Sequence, residues 1–246
     1  YGYLIKPHDY NIPKLINSLQ EKGIRLKSSS KSFKINSDYF DYGSLLIPVV
    51  GQSISSKNIY DLLNNVSNKT GIDIYALKNG YEDNIGFGSG SFTTIKKPKI
   101  GLIVGSGVRA YDAGEIWHLF DTRYEIPITK IDIKNLNRVN LSKYTHVILP
   151  SYSGTDLSTT KIQDFLKSGG NLIAYRSSIN WLERNKFINV DFIKNDISAK
   201  DVSFEDRSKF SGAQVVGGAI FETKIDKSHP INFGFHNDVL PTFRNN

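Results

Sequence analysis

Residues 99–120 read KIGLIVGSGVRAYDAGEIWHLF, and this stretch decides the fold. Its apolar run of Ile100, Leu102, Ile103 and Val104 ends in Gly105-Ser106-Gly107. An amphipathic segment follows, with Ala113, Ile116, Trp117 and Phe120 at helical spacing, which predicts a buried stripe. A continuously apolar strand, a glycine turn and a helix make the opening βα unit of a parallel sheet. The alternation then repeats. Strands are expected over residues 128–133, 145–150 and 171–175, and helices over 158–168, stopped by Gly169-Gly170, and near 179–184. Such an order implies a parallel sheet covered on both faces, with right-handed crossovers. Residues 219–225 and the proline-bearing HPINFGFH read as β-rich, irregular structure.

Working back from that stretch, the chain divides into a small α/β module with a linker over residues 1–95 and a larger α/β domain over 96–246. The small module should open with a strand over 1–7. A helix from Ile12-Pro13 follows, capped by Asn11 and ended by Gly23. Further strands are expected over 24–26, within SFKINSDYFDYGSLLIPVVGQ and over 72–75, with a second helix over 56–69. Between the modules, residues 78–98 are rich in Gly, Ser and Asn and lack helical period. Their GFGSGS runs into the strand-like Phe92-Thr93-Thr94-Ile95 rather than opening a helix whose amides could converge on phosphate, so it reads as a linker or turn.

Composition narrows the function classes. The 246 residues carry a net charge of +7, but the basic residues are scattered among Asp and Glu and form no stripe with exposed aromatics, which argues against nucleic acid as a partner. No apolar run approaches the roughly 20 residues that span a bilayer. The absence of Cys excludes disulfides, thiolate metal sites and cysteine nucleophiles. The chain opens YGYLIKPHDY, without Met or a signal-peptide pattern, and stops at LPTFRNN, as a piece of a longer protein would.

Three constellations are candidates for chemistry. Gly105-Ser106-Gly107-Val108-Arg109-Ala110 fits a relaxed dinucleotide fingerprint, with Asp132 near the end of the next strand in the position of a ribose-binding acid. Against it, the following helix is expected to start at Asp112, beyond the glycines that should enclose its N-terminus. Asp112, Glu115 and His118 form a second set, although steps of three drift round a helix and the outer two share a face poorly. Their simpler reading is a capping box, with Asp112 as N-cap and Glu115 at N3. The third is Tyr175-Arg176-Ser177-Ser178, a strand-to-helix turn where α/β enzymes expose a nucleophile; no GxSxG pattern surrounds Ser177, and a plain sheet-edge turn competes. The candidate ligand-binding residues are therefore Gly105, Gly107, Asp112, Glu115, His118, Arg176 and Ser177, with no catalytic or metal-ligating residue assigned.

The strings IGLIVGSGVRAYDAGEIWHLFDTRYEIPITKIDI and LSKYTHVILPSYSG, with GGAIFETKIDKSHPINFGF and the preceding YGYLI…GSLLIPVVGQ module, resemble the non-catalytic C-terminal region of bacterial M14-type zinc carboxypeptidases. AYDAGEIWHLFD is the most specific part of the likeness. The resemblance implies a flavodoxin-like sheet of the class I glutamine-amidotransferase type for the second module. Amidotransferases of that fold place a Cys in the turn that here reads Tyr175-Arg176-Ser177-Ser178, so glutaminase chemistry is not expected. The zinc ligands of such peptidases belong to a separate preceding domain, and no HxxE motif occurs here, so no cofactor is expected in this chain. The resemblance further implies an accessory role, packing on the peptidase domain or recognising a peptide or glycan, in a periplasmic or extracellular setting. A nucleotide-binding domain using Gly105, Gly107 and Asp132 remains the alternative.

Overall fold

The computed structural model describes residues 1–82, 85–192, 197–215 and 217–244. Asp83 and Asn84 of the expected linker, and Asn245 and Asn246 at the end of LPTFRNN, lie outside them. The architecture is mixed α/β, with one four-stranded parallel sheet and several antiparallel ones.

The first module contains β1 (Gly2–Ile5), α1 (Ile12–Glu21), β2 (Lys27–Ser29), β3 (Leu45–Pro48), α2 (Ser56–Thr70), β4 (Tyr75–Leu77) and β5 (Phe92–Thr94). Its sheet runs β4-β1-β3-β2-β5 with every pair antiparallel. Side chains alternate across it, as the strand period of two requires. Ile5, Leu45 and Ile47 lie under α1 and α2 with Leu15, Leu19, Ile59 and Leu63. Leu4 and Leu46 face a cluster of Phe33, Phe40, Phe87 and Phe92.

Several expectations shift here. The strand expected over 24–26 begins at Lys27, because Ile24 and Leu26 are buried in the helix layer before pairing starts. Ile72 likewise packs under the helices, and the last predicted strand starts at Tyr75. Asn11 occupies the N-cap of α1 without capping it: its side chain donates to the Thr70 carbonyl at 3.2 Å. Pro13 has removed one of the two amides an N-cap could serve. The glycine-rich segment is more than a linker, since β5 pairs with β2 and Phe87 is buried in the aromatic cluster.

The second module contains β6 (Ile100–Val104), α3 (Ala110–His118), β7 (Ile128–Asp132), β8 (His146–Leu149), α4 (Thr159–Lys167), β9 (Asn171–Ala174) and α5 (Ser178–Arg184). The sheet order is β7-β6-β8-β9, all parallel. Ile100, Leu102 and Ile148 pack beneath α3 with Ala113, while Ile103, Val147 and Leu149 face α4 and α5 through Ile162, Phe165 and Trp181. The expected cover on both faces fails at β9, where Ile173 is 49 % exposed. That edge strand has α4 on one side, and α3 lies over β6 rather than over it. Beyond α5 come α6 (Arg207–Ala213) and an antiparallel ribbon of β10 (Ala219–Lys224) and β11 (Val239–Arg244).

Among the contacts that join the modules, two sets stand out. Glu125 meets Lys14 at 2.6 Å and Lys69 at 3.3 Å, and its carbonyl accepts from Asn17 at 2.6 Å. Residues 226–236, from the far end of the chain, return to the first module. Lys227 pairs with the buried Asp41 at 2.5 Å. The His8 Nδ1–H donates to the Gly234 carbonyl at 3.2 Å, and the His8 ring stacks on His236 with centroids 4.0 Å apart.

This attachment should weaken in acid. Burial lowers the His8 pKa from 6.5; His236 and Lys227 add to that, while the Gly234 carbonyl and Asp41 oppose it. The unfolded chain therefore protonates first, and stability is lost as pH falls from 6.5 through the lower folded value. Burial pushes the Asp41 carboxyl up, but Lys227, the Tyr42 amide and His8 outweigh it and hold it below 3.8, so its contribution persists until pH falls beneath that value. The thermal midpoint should thus drop between about pH 8 and about pH 5.5, and His8→Gln should shrink that drop. An unchanged pH slope in the variant, followed by circular dichroism, would remove His8 from the account.

Candidate functional site

The candidate residues gather where the parallel strands end. In open α/β sheets the crevice for ligands lies outside the strand carboxyl ends, where successive connections leave in opposite directions. Here that point is between β6 and β8, because the chain goes from β6 to β7 on one side and then to β8 on the other. Three turns surround it: residues 105–109 after β6, residues 150–154 after β8 and residues 175–177 after β9.

The first two turns are tied to each other by backbone. The Arg109 amide donates to the Ser151 carbonyl at 2.9 Å, the Ser153 amide donates to the Gly107 carbonyl at 3.0 Å, and Val108 forms a bridge with Tyr152. A Cβ at Gly107 would lie 2.7 Å from the Gly154 backbone. The glycine is needed for that close approach between two protein loops, as well as for its φ of +77°. Gly105 meets a different neighbour: a Cβ there would lie 2.8 Å from the Asp132 carboxylate. Asp132 itself accepts from the Lys134 amide at 2.9 Å and caps the short helical turn Ile133–Arg138.

Asp112 is not the helix cap. The helix begins at Ala110, Arg109 is its N-cap without a side-chain bond, and no capping box forms with Glu115. Asp112 sits instead in the first turn, 2 % exposed, where its negative charge suits the helix dipole. Its Oδ1 accepts from Arg176 at 2.8 Å, Arg109 stands 3.9 Å away, and Oδ2 is buried without a hydrogen-bond partner among the described residues. Glu115 and His118 are exposed on the same helix and do not converge with it. Among the described residues no group of three or more His, Cys, Asp or Glu could hold a metal ion.

The third turn is sharp. Arg176 has φ of +56°, a left-handed conformation that is uncommon for a side-chain-bearing residue. Its guanidinium is directed to Asp112, so the elbow presents a cation where a nucleophile would project. Ser177 donates to the Tyr152 carbonyl at 3.1 Å and lies 2.7 Å from the Ser151 hydroxyl. Its one proton is thereby committed to a carbonyl, and its neighbours are hydroxyl and carbonyl oxygens. Ser178 donates to the Pro150 carbonyl and is buried. Tyr175 completes the surroundings; burial pushes its phenol up to about 12, with the Asp112 carboxylate adding and Arg176 opposing.

The sequence reading missed Arg109, Ser151, Tyr152 and the pair Trp117–Lys130. Trp117 was expected in the buried stripe of α3 but is 41 % exposed, with the Lys130 ammonium 3.8 Å from its ring centroid. Helical spacing could not separate it from Ala113, because the partner that covers its face is a charged side chain on β7.

Fold and site define an α/β protein with a strand-end crevice built on an arginine–aspartate pair. Comparison with protein-family models, with curated proteins and with solved structures returns no match. No helix among the described residues is long and apolar enough to cross a membrane.

Proposed function

We propose that this chain is the accessory, non-catalytic region of an M14-type zinc carboxypeptidase, its second module a flavodoxin-like, glutamine-amidotransferase-like domain. The parallel sheet whose first strand lies between the second and third supports that reading. The observation that carries it is the elbow at Arg176. The turn that holds the nucleophile in amidotransferases here holds a guanidinium fixed on a buried carboxylate, a group that cannot attack a carbonyl. In this reading the domain packs on the peptidase domain or recognises a peptide or glycan for it. Zinc and peptide hydrolysis belong to that separate domain, in a periplasmic or extracellular setting.

The test compares peptidase activity of this chain alone, with and without added zinc, with that of the longer parent protein. A silent chain beside an active parent is expected. Zinc-dependent cleavage by the chain alone would overturn the proposal and make His118 the first residue to replace.

A nucleotide-binding role is the second reading, favoured by the position of the Asp132 carboxylate beside Gly105 at the strand ends. It requires pyrophosphate to reach Gly107, whose Cβ position is already crowded by Gly154 and Tyr152. Calorimetric titration with a nicotinamide dinucleotide separates the two readings.

A further inference from the structure

A cavity of about 320 Å³ opens beside the strand-end turns, between α3 and β7. Its walls are Val104, Val108, Ala113 and Gly114, with Trp117 and Lys130 at its edge. The size lies at the lower end of the roughly 300–1,000 Å³ range of small-molecule sites, and its lining, almost wholly apolar with one charged group, is of the same kind.

Two observations indicate that the space is built for a ligand. Gly114 stands inside α3, where glycine costs helix stability, yet a Cβ there would meet nothing within 4 Å. Among the described residues packing does not demand the glycine, which is exposed and lines the cavity, so a larger residue there would take up open space at its wall. The second observation is Lys130. Among the described residues it makes no ion pair; its ammonium rests on the Trp117 indole instead. The nearest acid along its strand, Asp132, is engaged by the Lys134 amide.

We infer that this cavity binds a small organic acid, with an apolar body against Gly114, Ala113 and the indole and a single carboxylate on Lys130. An apolar lining selects the body of the ligand, and the unpaired cation at the rim selects its charge. The inference rests on this cavity alone and stands or falls independently of any peptidase parent.

Phenylacetate, phenylacetamide and a short blocked peptide ending in phenylalanine carboxylate are the probes, read by calorimetry and by Trp117 fluorescence. The other tryptophan, Trp181, is buried against Phe187 and should report little. Phenylacetate should bind saturably and the amide about tenfold more weakly or worse, the factor that 1.4 kcal/mol provides. Lys130→Gln should abolish that preference. Gly114→Leu should abolish binding while leaving the thermal midpoint equal to or above that of the parent sequence. If the peptide binds as well as phenylacetate, the acid recognised is a chain terminus; if only phenylacetate binds, it is a free small molecule. No binding of either acid, equal binding of acid and amide, or undiminished binding by Gly114→Leu would overturn the inference.

Discussion

Gly107→Val should destabilise the chain by roughly 3 kcal/mol or more, the sum of a strained left-handed backbone and an overpacked contact. The backbone at position 107 has φ of +77°, which a β-branched residue adopts only under strain. The new Cβ would also approach the Gly154 backbone to 2.7 Å and the Tyr152 ring to 2.8 Å. Neither neighbour can turn aside. Gly154 is held by the Ser153 amide bond to the Gly107 carbonyl, and Tyr152 is buried with its hydroxyl accepting from the Leu157 amide at 2.9 Å. Gly107→Ala should cost nearly as much, since the first added carbon makes the collision. Gly114→Ala, on the adjoining helix, should stabilise by up to about 1 kcal/mol, because it improves helix propensity and touches nothing. Urea unfolding of the three variants gives the comparison. A Gly107→Val unfolding free energy within about 0.5 kcal/mol of that of the starting protein, the range of neutral surface changes, would contradict the loop contact. The contrast also bears on function: loss of nucleotide binding in Gly107→Val would report damaged loops as readily as a lost phosphate cradle.

How much of this was legible in the residues depends on the range of the forces involved. The βα alternation was plain, because an apolar run closed by Gly105-Ser106-Gly107 and followed by helical spacing is a local pattern, and β6 and α3 form almost where that pattern places them. The role of Gly107 was not, because the same glycines that would cradle phosphate also serve the approach of residues 150–154, some 45 positions on. Asp112 shows the same limit. Locally it has the pattern of an N-cap, but the helix starts two residues earlier, and the partner that makes the carboxylate useful is Arg176. In the first module, local hydrophobicity marked Ile24 and Leu26 as buried and could not tell a strand from a helix-layer anchor. The return of residues 226–236 to Asp41 and His8 is a long-range ion pair and ring stack that no periodicity encodes.

The arginine–aspartate pair predicts an asymmetry. Arg176→Ala should cost about 2–3 kcal/mol, and Asp112→Ala about 1 kcal/mol, because breaking such a pair is expensive only when a charge is left buried and uncompensated. Asp112 is 3 % exposed at its side chain whereas Arg176 is 52 % exposed, so only the first substitution strands its partner away from water. With Arg176 gone, Asp112 would keep Arg109 at 3.9 Å as its one remaining countercharge among the described residues, and neither carboxylate oxygen would then have a good donor among them. The double variant should therefore be more stable than Arg176→Ala alone. Arg176→Gly separates charge from backbone: it loses the same ion pair but relieves the φ of +56°, and should recover about 1 kcal/mol relative to Arg176→Ala. Chemical denaturation of the four variants measures each quantity. An Asp112→Ala variant less stable than Arg176→Ala would mean that Asp112 holds the first turn of α3 by its own contacts. The elbow would then be an ordinary turn, and the proposal that a cation stands there in place of a nucleophile would fail.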